Sequence, residues 1–179
     1  ISLGGVVASR SLRVAGDKMN QDIIRYVRNY YKLAIGERTA EEIKMTIGSA
    51  CQMPERLELI IRGRDIITGL PKEVIISDYD ARKAIYSSIM TIVSTIKATI
   101  EETPPELIGD IMERGVILAG GGAHLKGLDI VVEEITKVPC HLANEPLTAV
   151  VRGAGQVVEN IDTLKAVLVP LDLGKKPKF

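Results

Sequence analysis

The chain is poor in aromatic residues, cysteine and histidine, and each shortage restricts what it can be. It has five Tyr, one Phe and no Trp among 179 residues, so the core must be built from Ile, Val and Leu. Cys51 and Cys140 have no metal-binding or redox-motif spacing and suggest reduced thiols in a cytosol. His124 and His141 lack partners at metal-ligand spacing, and no catalytic triad can be assembled from them.

Neither an excess of one charge nor a long hydrophobic run is present. Lys plus Arg equals Asp plus Glu at 23 each, so nothing directs the chain towards nucleic acid or anionic lipid. No apolar run reaches the roughly eighteen residues that a membrane-spanning helix needs. With 46% apolar and 26% charged residues, the composition is typical of a globular protein of one domain or two small ones.

The most informative stretch runs from Gly115 to Asp129. A short apolar segment, Val116–Ala119, is typical of a buried strand; the glycines Gly120–Gly122 follow, and a helical pattern resumes at Leu125. A strand that leads into a helix through bare backbone leaves N–H groups accessible, and the helix N-terminus adds partial positive charge. The pattern therefore favours a nucleotide or phosphate site over a tight turn whose glycines only supply positive φ.

Two common nucleotide-binding fingerprints do not fit this stretch. The Rossmann pattern needs a glycine at the sixth position counted from Gly120, where Leu125 stands instead. The P-loop needs Lys and then Ser or Thr after its second glycine, but Gly127 is followed by Leu128 and preceded by Lys126. The failed Rossmann spacing argues against a nicotinamide-dependent oxidoreductase, which is one alternative explanation of the glycines.

Hydrophobic periodicity predicts an α/β domain with a mixed sheet. Thr39 and Glu42 fit a capping box at the start of the second helix, and Asp17 is a candidate N-cap of the first. Asp78 and Asp80 are expected to cap the long third helix. The predicted elements are strands over 1–7 and 11–15, a helix from position 16, a helix from position 39, three short strands between 57 and 76, a helix over 77–100, a strand over 140–142 and a helix over 147–158.

Glu41 and Lys44 form a second candidate site. On a helix that begins at Thr39 they lie three residues apart on one face. A carboxylate can accept hydrogen bonds from both ribose hydroxyls, and a Lys stem can cover one face of an adenine while its ammonium stays in water. Alone, the pair is more typical of ordinary helix charges. Together with the glycine stretch, it favours an adenosine site, whereas Glu42 stays ambiguous between capping and binding.

Five segments, in order and at the expected spacing, resemble the MreB family of bacterial actin homologues. They begin at Ile1, Ile35, Ile61, Arg114 and Pro146 and read ISLGGVVASRSLRVAGD, IGERTAEEIK, IRGRDIITGLP, RGVILAGGGAHLKGLD and PLTAVVRG. The resemblance runs to about position 162 and covers the C-terminal half of that family's length. It implies the second half of an actin-like, ribonuclease H-like ATPase fold.

In this family a Glu/Lys helix and a triple-glycine loop hold the adenosine of ATP or ADP from opposite sides. The resemblance implies a nucleotide-binding large subdomain over 1–50 and 105–162, a smaller inserted α+β subdomain over 51–104 and a C-terminal tail over 163–179. The implied nucleotide-binding residues are Ala40, Glu41, Glu42, Ile43, Lys44, Gly120, Gly121, Gly122 and Ala123. Magnesium would be held mainly through the phosphates and the other half of the family's sequence. No catalytic residue is assigned here, so turnover by this chain alone is not expected.

The resemblance also implies a function. The family polymerises with ATP into filaments in the cytoplasm, peripheral to the inner face of the cytoplasmic membrane, and organises cell-wall synthesis and rod shape. The implied partners are further copies of the chain and the cell-wall elongation machinery, without nucleic acid. Two alternatives stay open: another actin-superfamily ATPase, such as a heat-shock-type chaperone or a sugar kinase, and a non-catalytic interaction module.

Overall fold

The computed structural model of the protein describes residues 1–2 and 4–164. The helices are α1 (Gly16–Tyr31), α2 (Glu37–Ile47), α3 (Asp78–Glu101), α4 (Ile108–Arg114), α5 (Leu128–Thr136), α6 (Ala149–Glu159) and α7 (Ile161–Leu164). The strands are β1 (Leu33–Ala34), β2 (Glu58–Asp65), β3 (Pro71–Ser77), β4 (Val116–Leu118) and β5 (Cys140–Leu142), and short 3₁₀ helices cover Pro105–Leu107 and Gly121–His124. Of the predicted tail over 163–179, positions 163 and 164 belong to α7 and the rest lies outside the described residues.

Antiparallel and parallel strand pairing are both present, in two separate sheets. The order β1-β2-β3 forms an antiparallel sheet in which Leu59 pairs with Ile76 and Ile61 with Val74. β4 and β5 form a parallel pair, and the chain between them includes α5, as a parallel connection requires. The predicted α/β class and the strand over 140–142 are confirmed.

The core is aliphatic, as the shortage of aromatic residues predicts. α1 buries apolar residues at every fourth position, and α3 repeats the pattern along its own length, so the two helices pack face to face. Burying each such side chain stabilises the fold by about 1.5–3 kcal/mol. None of the described helices, including α3 with 24 residues, is both long enough and apolar enough to cross a membrane. The largest fully buried aliphatic side chains among the described residues are Ile23, Val27, Leu33, Ile43, Ile47, Ile76, Ile85, Ile89, Val93 and Val132.

A carboxylate joins the start of α3 to α1. Ser77 is the N-cap of α3 and forms a capping box with Asp80. The same carboxylate accepts hydrogen bonds from the hydroxyls of Tyr26 and Tyr31, each at 2.8 Å. Asp80 therefore caps α3, as predicted, and also ties it to α1.

The predicted strands over 1–7 and 11–15 are wrong. Among the residues of that region that the structure describes, there is only an isolated bridge between Ser2 and Gly5. The apolar side chains Val6, Val7 and Leu12 stay exposed, and no strand among the described residues pairs with this segment. A strand without a hydrogen-bonding neighbour is not stable, whatever its hydrophobic pattern.

Three other local predictions are corrected by the structure. The second helix begins at Glu37 with Gly36 as its N-cap, because Ala40 N donates to the Gly36 carbonyl at 3.1 Å. Two strands, β2 and β3, replace the three short strands that the sequence predicts. The segment after β2 forms a turn instead, because the Asp65 carboxylate accepts a hydrogen bond from the N–H of Ile67 at 2.7 Å. The first helix begins as predicted near Asp17, but Ala15 is its N-cap.

Candidate functional site

One side of the candidate site is α2, where Glu41 and Lys44 share a face as predicted. Lys44 Nζ donates to Glu41 Oε2 at 2.7 Å and to the carbonyl oxygen of Gly16 at 3.3 Å. Asn20, buried on α1, donates its Nδ2 proton to the same Glu41 oxygen at 2.6 Å. The Glu41 side chain is therefore fixed by two donors from two different helices.

This network leaves part of the carboxylate available to a ligand. The Glu41 side chain is 48% exposed, and its Oε1 accepts no hydrogen bond from the described residues. Hydrogen bonds from Lys44 and then Asn20 hold the pKa of Glu41 below its ordinary value, so it is ionised and acts only as an acceptor at neutral pH. Lys44 differs from the expectation that its ammonium stays in water, because only 11% of its side chain is exposed.

The other predicted residues of α2 lie in different environments. Ala40 and Ile43 are fully buried in the core, so their side chains fix the position of the helix and do not line a surface. Glu42 is exposed on α2, and it does not cap the helix because Gly36 does. A role of these three residues in binding stays a prediction.

The other side of the site is the glycine turn, Gly120–Ala123, between β4 and α5. Gly120 has φ +83° and donates its N–H to the Pro146 carbonyl at 2.8 Å. A 3₁₀ helix then begins at Gly121, and the first residues of such a helix have no internal acceptor for their N–H groups. α5 begins only at Leu128, later than the predicted Leu125, so its N-terminus does not lie at the glycines.

Of the three glycines in the glycine turn, only Gly120 has a positive φ that favours glycine. Gly121 and Gly122 do not adopt the positive φ that would demand glycine, and a methyl group at Gly120 or Gly122 would meet no described atom within 4 Å. Ala123 is buried beneath the turn. The turn thus presents bare main chain to open space, where a flat group can approach closely. The predicted glycine turn fits an adenosine in this respect.

Contacts of Lys126, which follows the glycine turn, join the two sides of the candidate site. Ala50 N, just past the end of α2, donates to the Lys126 carbonyl at 2.8 Å. The Lys126 ammonium reaches the Thr46 carbonyl in the last turn of α2 at 3.1 Å, as a cation near a helix C-terminus does. Sequence reasoning missed both Lys126 and Asn20, since no motif marks either residue.

The fold is that of the actin-like proteins. A structure of MreB5 of Spiroplasma citri bound to ADP superposes with a TM-score of 0.84 at 37% identity, covering 90% of this chain and 48% of that one. The same protein bound to AMPPNP gives 0.84 at 36% identity. The MamK double helical filament shares the fold, with a TM-score of 0.70 at 18% identity.

Sequence comparison specifies the family. Residues 1–166 match the family described as MreB/Mbl protein. The chain is 44% identical over 164 residues to the cell shape-determining protein Mbl of Bacillus cereus, and 44% identical over 162 residues to the cell shape-determining protein MreB of Escherichia coli. The chain belongs to the MreB/Mbl family, which confirms the predicted resemblance. The matches cover 92% and 90% of this chain but 49% and 47% of those relatives, so it spans about half of their length.

Proposed function

We propose that this chain holds the adenosine of ATP or ADP between α2 and the glycine turn. The observation that carries the proposal is the fixed, half-exposed carboxylate of Glu41 on one side and the bare Gly121–Gly122 backbone on the other, with the two sides joined through Lys126. The two MreB5 structures contain ADP and AMPPNP, and this relative's likeness to the chain supports the same ligand class here.

Each side has a distinct task in this proposal. Glu41 Oε1 accepts hydrogen bonds from the ribose hydroxyls, and the glycine turn lets the base lie against main chain. Lys44, whose ammonium donates to Glu41 Oε2, holds that carboxylate in position. The nucleotide supplies a terminal phosphate whose loss converts ATP to ADP; magnesium and the phosphates are held mainly by residues outside this chain. We therefore assign this chain binding and orientation but no hydrolytic step.

The proposed biological role follows the family. We infer that the full-length protein polymerises with ATP into filaments at the inner face of the cytoplasmic membrane and organises cell-wall synthesis and rod shape, with the cell-wall elongation machinery as partner. The relatives named for cell shape and the filament formed by MamK support this role. The division into subdomains at positions 51 and 104 remains part of the proposal.

Calorimetric titration of the chain with ADP and ATP tests the nucleotide site. We expect weak but measurable binding of both nucleotides, and a loss of affinity of about tenfold or more, equivalent to about 1.4 kcal/mol, in a Glu41→Ala, Lys44→Ala double variant. The matched control is Lys97→Ala, Glu101→Ala, an exposed ion pair on α3. No binding by the folded wild-type chain, or equal binding by both double variants, would contradict the proposal.

Gly122→Ala separates binding from folding. The methyl group would enter open space at ordinary backbone angles, so we expect the free energy of unfolding to stay the same or rise by up to about 1 kcal/mol. ADP affinity should fall about tenfold, because the methyl group occupies the surface on which the base lies. Gly153→Ala in α6, also in open space, is the control. Unchanged ADP affinity in Gly122→Ala would mean that the glycine turn does not hold the base.

A further inference from the structure

Arg82 forms a mostly buried anchor on the first turns of α3. Its side chain is only 16% exposed. Nη1 donates to Asp78 Oδ2 at 3.1 Å, to Ser49 Oγ at 3.2 Å and to the Cys51 carbonyl at 3.4 Å. A guanidinium that satisfies several acceptors at once is held in one orientation. Arg82 therefore ties the segment Ser49–Cys51 to a helix that is itself fixed in the core.

The segment Ser49–Cys51 lies between the two sides of the proposed nucleotide site. It leaves the end of α2, and Ala50 bonds to the Lys126 carbonyl as described above. Cys51 Sγ packs so closely on Gly127 that any side chain there would overlap it. The position of this segment sets the separation of α2 from the glycine turn.

We propose that Arg82 is a positioning residue for the nucleotide site, acting through Ser49–Cys51 on the spacing of its two sides. The inference rests on the proposed adenosine site. Without the guanidinium, the hydroxyl of Ser49 loses its donor in a buried position, and Asp78 loses the cation that pairs with it. The segment Ser49–Cys51 then shifts, and Glu41 and Gly122 no longer have the spacing that lets both contact one adenosine. Small displacements of a binding group have large effects when two groups must act on one ligand.

Adenosine and ADP titrations of Arg82→Met test the inference. Adenosine carries no charge, so its affinity does not respond to the loss of a distant cation, whereas ADP affinity can. We expect adenosine and ADP to bind about five- to tenfold more weakly to Arg82→Met and about two- to threefold more weakly to Ser49→Ala. Lys83→Met is the matched control, because Lys83 is the next residue on α3 and contacts the rings of Tyr30 and Tyr79 instead.

The possible outcomes separate this inference from the proposed function. If Arg82→Met folds and binds adenosine with wild-type affinity, this inference is overturned and the proposed function is not affected. A lower melting temperature would not change that conclusion, because a purely structural role lowers stability without changing affinity well below that temperature. If Arg82→Met does not fold, Ser49→Ala decides, since it removes only a hydroxyl group. Failure of the wild-type chain to bind either ligand would overturn the proposed function, and this inference with it.

Discussion

Asp80→Ala is expected to lower the free energy of unfolding by about 3–4 kcal/mol. The Asp80 carboxylate accepts hydrogen bonds from the hydroxyls of Tyr26 and Tyr31. It also accepts hydrogen bonds from the N–H of Ser77 at 3.1 Å and from the Ser77 hydroxyl at 2.6 Å. The substitution removes the half of the capping box in which the Asp80 carboxylate accepts the Ser77 N–H, worth about 1 kcal/mol. It also leaves two half-buried tyrosine hydroxyls without their acceptor, at about 1–1.5 kcal/mol each. Urea unfolding followed by circular dichroism measures the change.

The contribution of Asp80 should also depend on pH. Burial opposes ionisation, but the hydrogen bonds from Ser77, Tyr26 and Tyr31 together outweigh it and hold the pKa of Asp80 below its ordinary value. A lowered pKa in the folded state gives stability that is present above the unfolded-state pKa of about 3.9 and is lost as pH falls through the folded-state value. The stability difference between the wild type and Asp80→Asn should therefore narrow from pH 7 to about pH 3.

The tyrosines respond at the opposite end of the pH scale. Burial, followed by the hydrogen bond to Asp80, raises the pKa of Tyr31 to about 12. The contribution of Tyr31 to the free energy of unfolding is therefore present below the ordinary tyrosine pKa of about 10, and it is lost as pH rises through the folded-state pKa.

Three further variants control the Asp80 prediction. Tyr26→Phe and Tyr31→Phe each remove one hydrogen bond and should each cost about 1 kcal/mol. Asp110→Ala removes an exposed carboxylate from the first turn of α4, where it has no hydrogen bond or ion pair with the described residues, and should change stability by less than about 0.5 kcal/mol. A loss in Asp80→Ala as small as that in Asp110→Ala would show that the carboxylate does not join α1 to α3.

The sequence predicts an element well when its evidence is local. The one-sided apolar repeats of α1 and α3 need no partner to be recognised, and the apolar run over 116–119 marks a strand because glycines follow it. The apolar residues of the segment over 1–7 also indicate a strand, but a strand depends on a hydrogen-bonding neighbour that the sequence pattern does not identify. Thr39 was a plausible N-cap, yet the carbonyl of Gly36 takes the first helical hydrogen bond one turn earlier. Several local signals compete for one helix start, and sequence alone does not rank them.

The candidate site divides in the same way. Glu41 and Lys44 could be placed on one face from their spacing, because three residues on a helix fix the geometry. Asn20 could not be found, since it lies 21 positions before Glu41 and only the packing of α1 on α2 brings the two together. Lys126 was visible as a residue but not as the link between the two sides. Contacts made by packing are therefore the part of the site that required a structure.

Gly127→Ala should lower the free energy of unfolding by about 2–5 kcal/mol and weaken ADP binding as well. Gly127 has φ +73°, a conformation that costs an L-residue about 1–2 kcal/mol. A methyl group there would also overlap Cys51 Sγ, and such overpacking costs about 1–3 kcal/mol. To relieve the overlap, Cys51 must move away from Gly127. This movement changes the separation of α2 from the glycine turn and so weakens ADP binding. Thermal unfolding and ADP titration of one preparation measure both effects.

Gly69→Ala and a double variant divide the effect of Gly127→Ala into its two causes. Gly69 has φ +76° but nothing within 4 Å of an added methyl group, so Gly69→Ala should cost about 1–2 kcal/mol from backbone strain alone. Cys51→Ala removes the sulfur that the new methyl group meets. In the Gly127→Ala background, Cys51→Ala should therefore restore the part of the free energy of unfolding that is lost through overpacking, and it should restore ADP affinity as well. If stability and affinity recovered separately, the contact between Cys51 and Gly127 would support the fold without setting the spacing of the site.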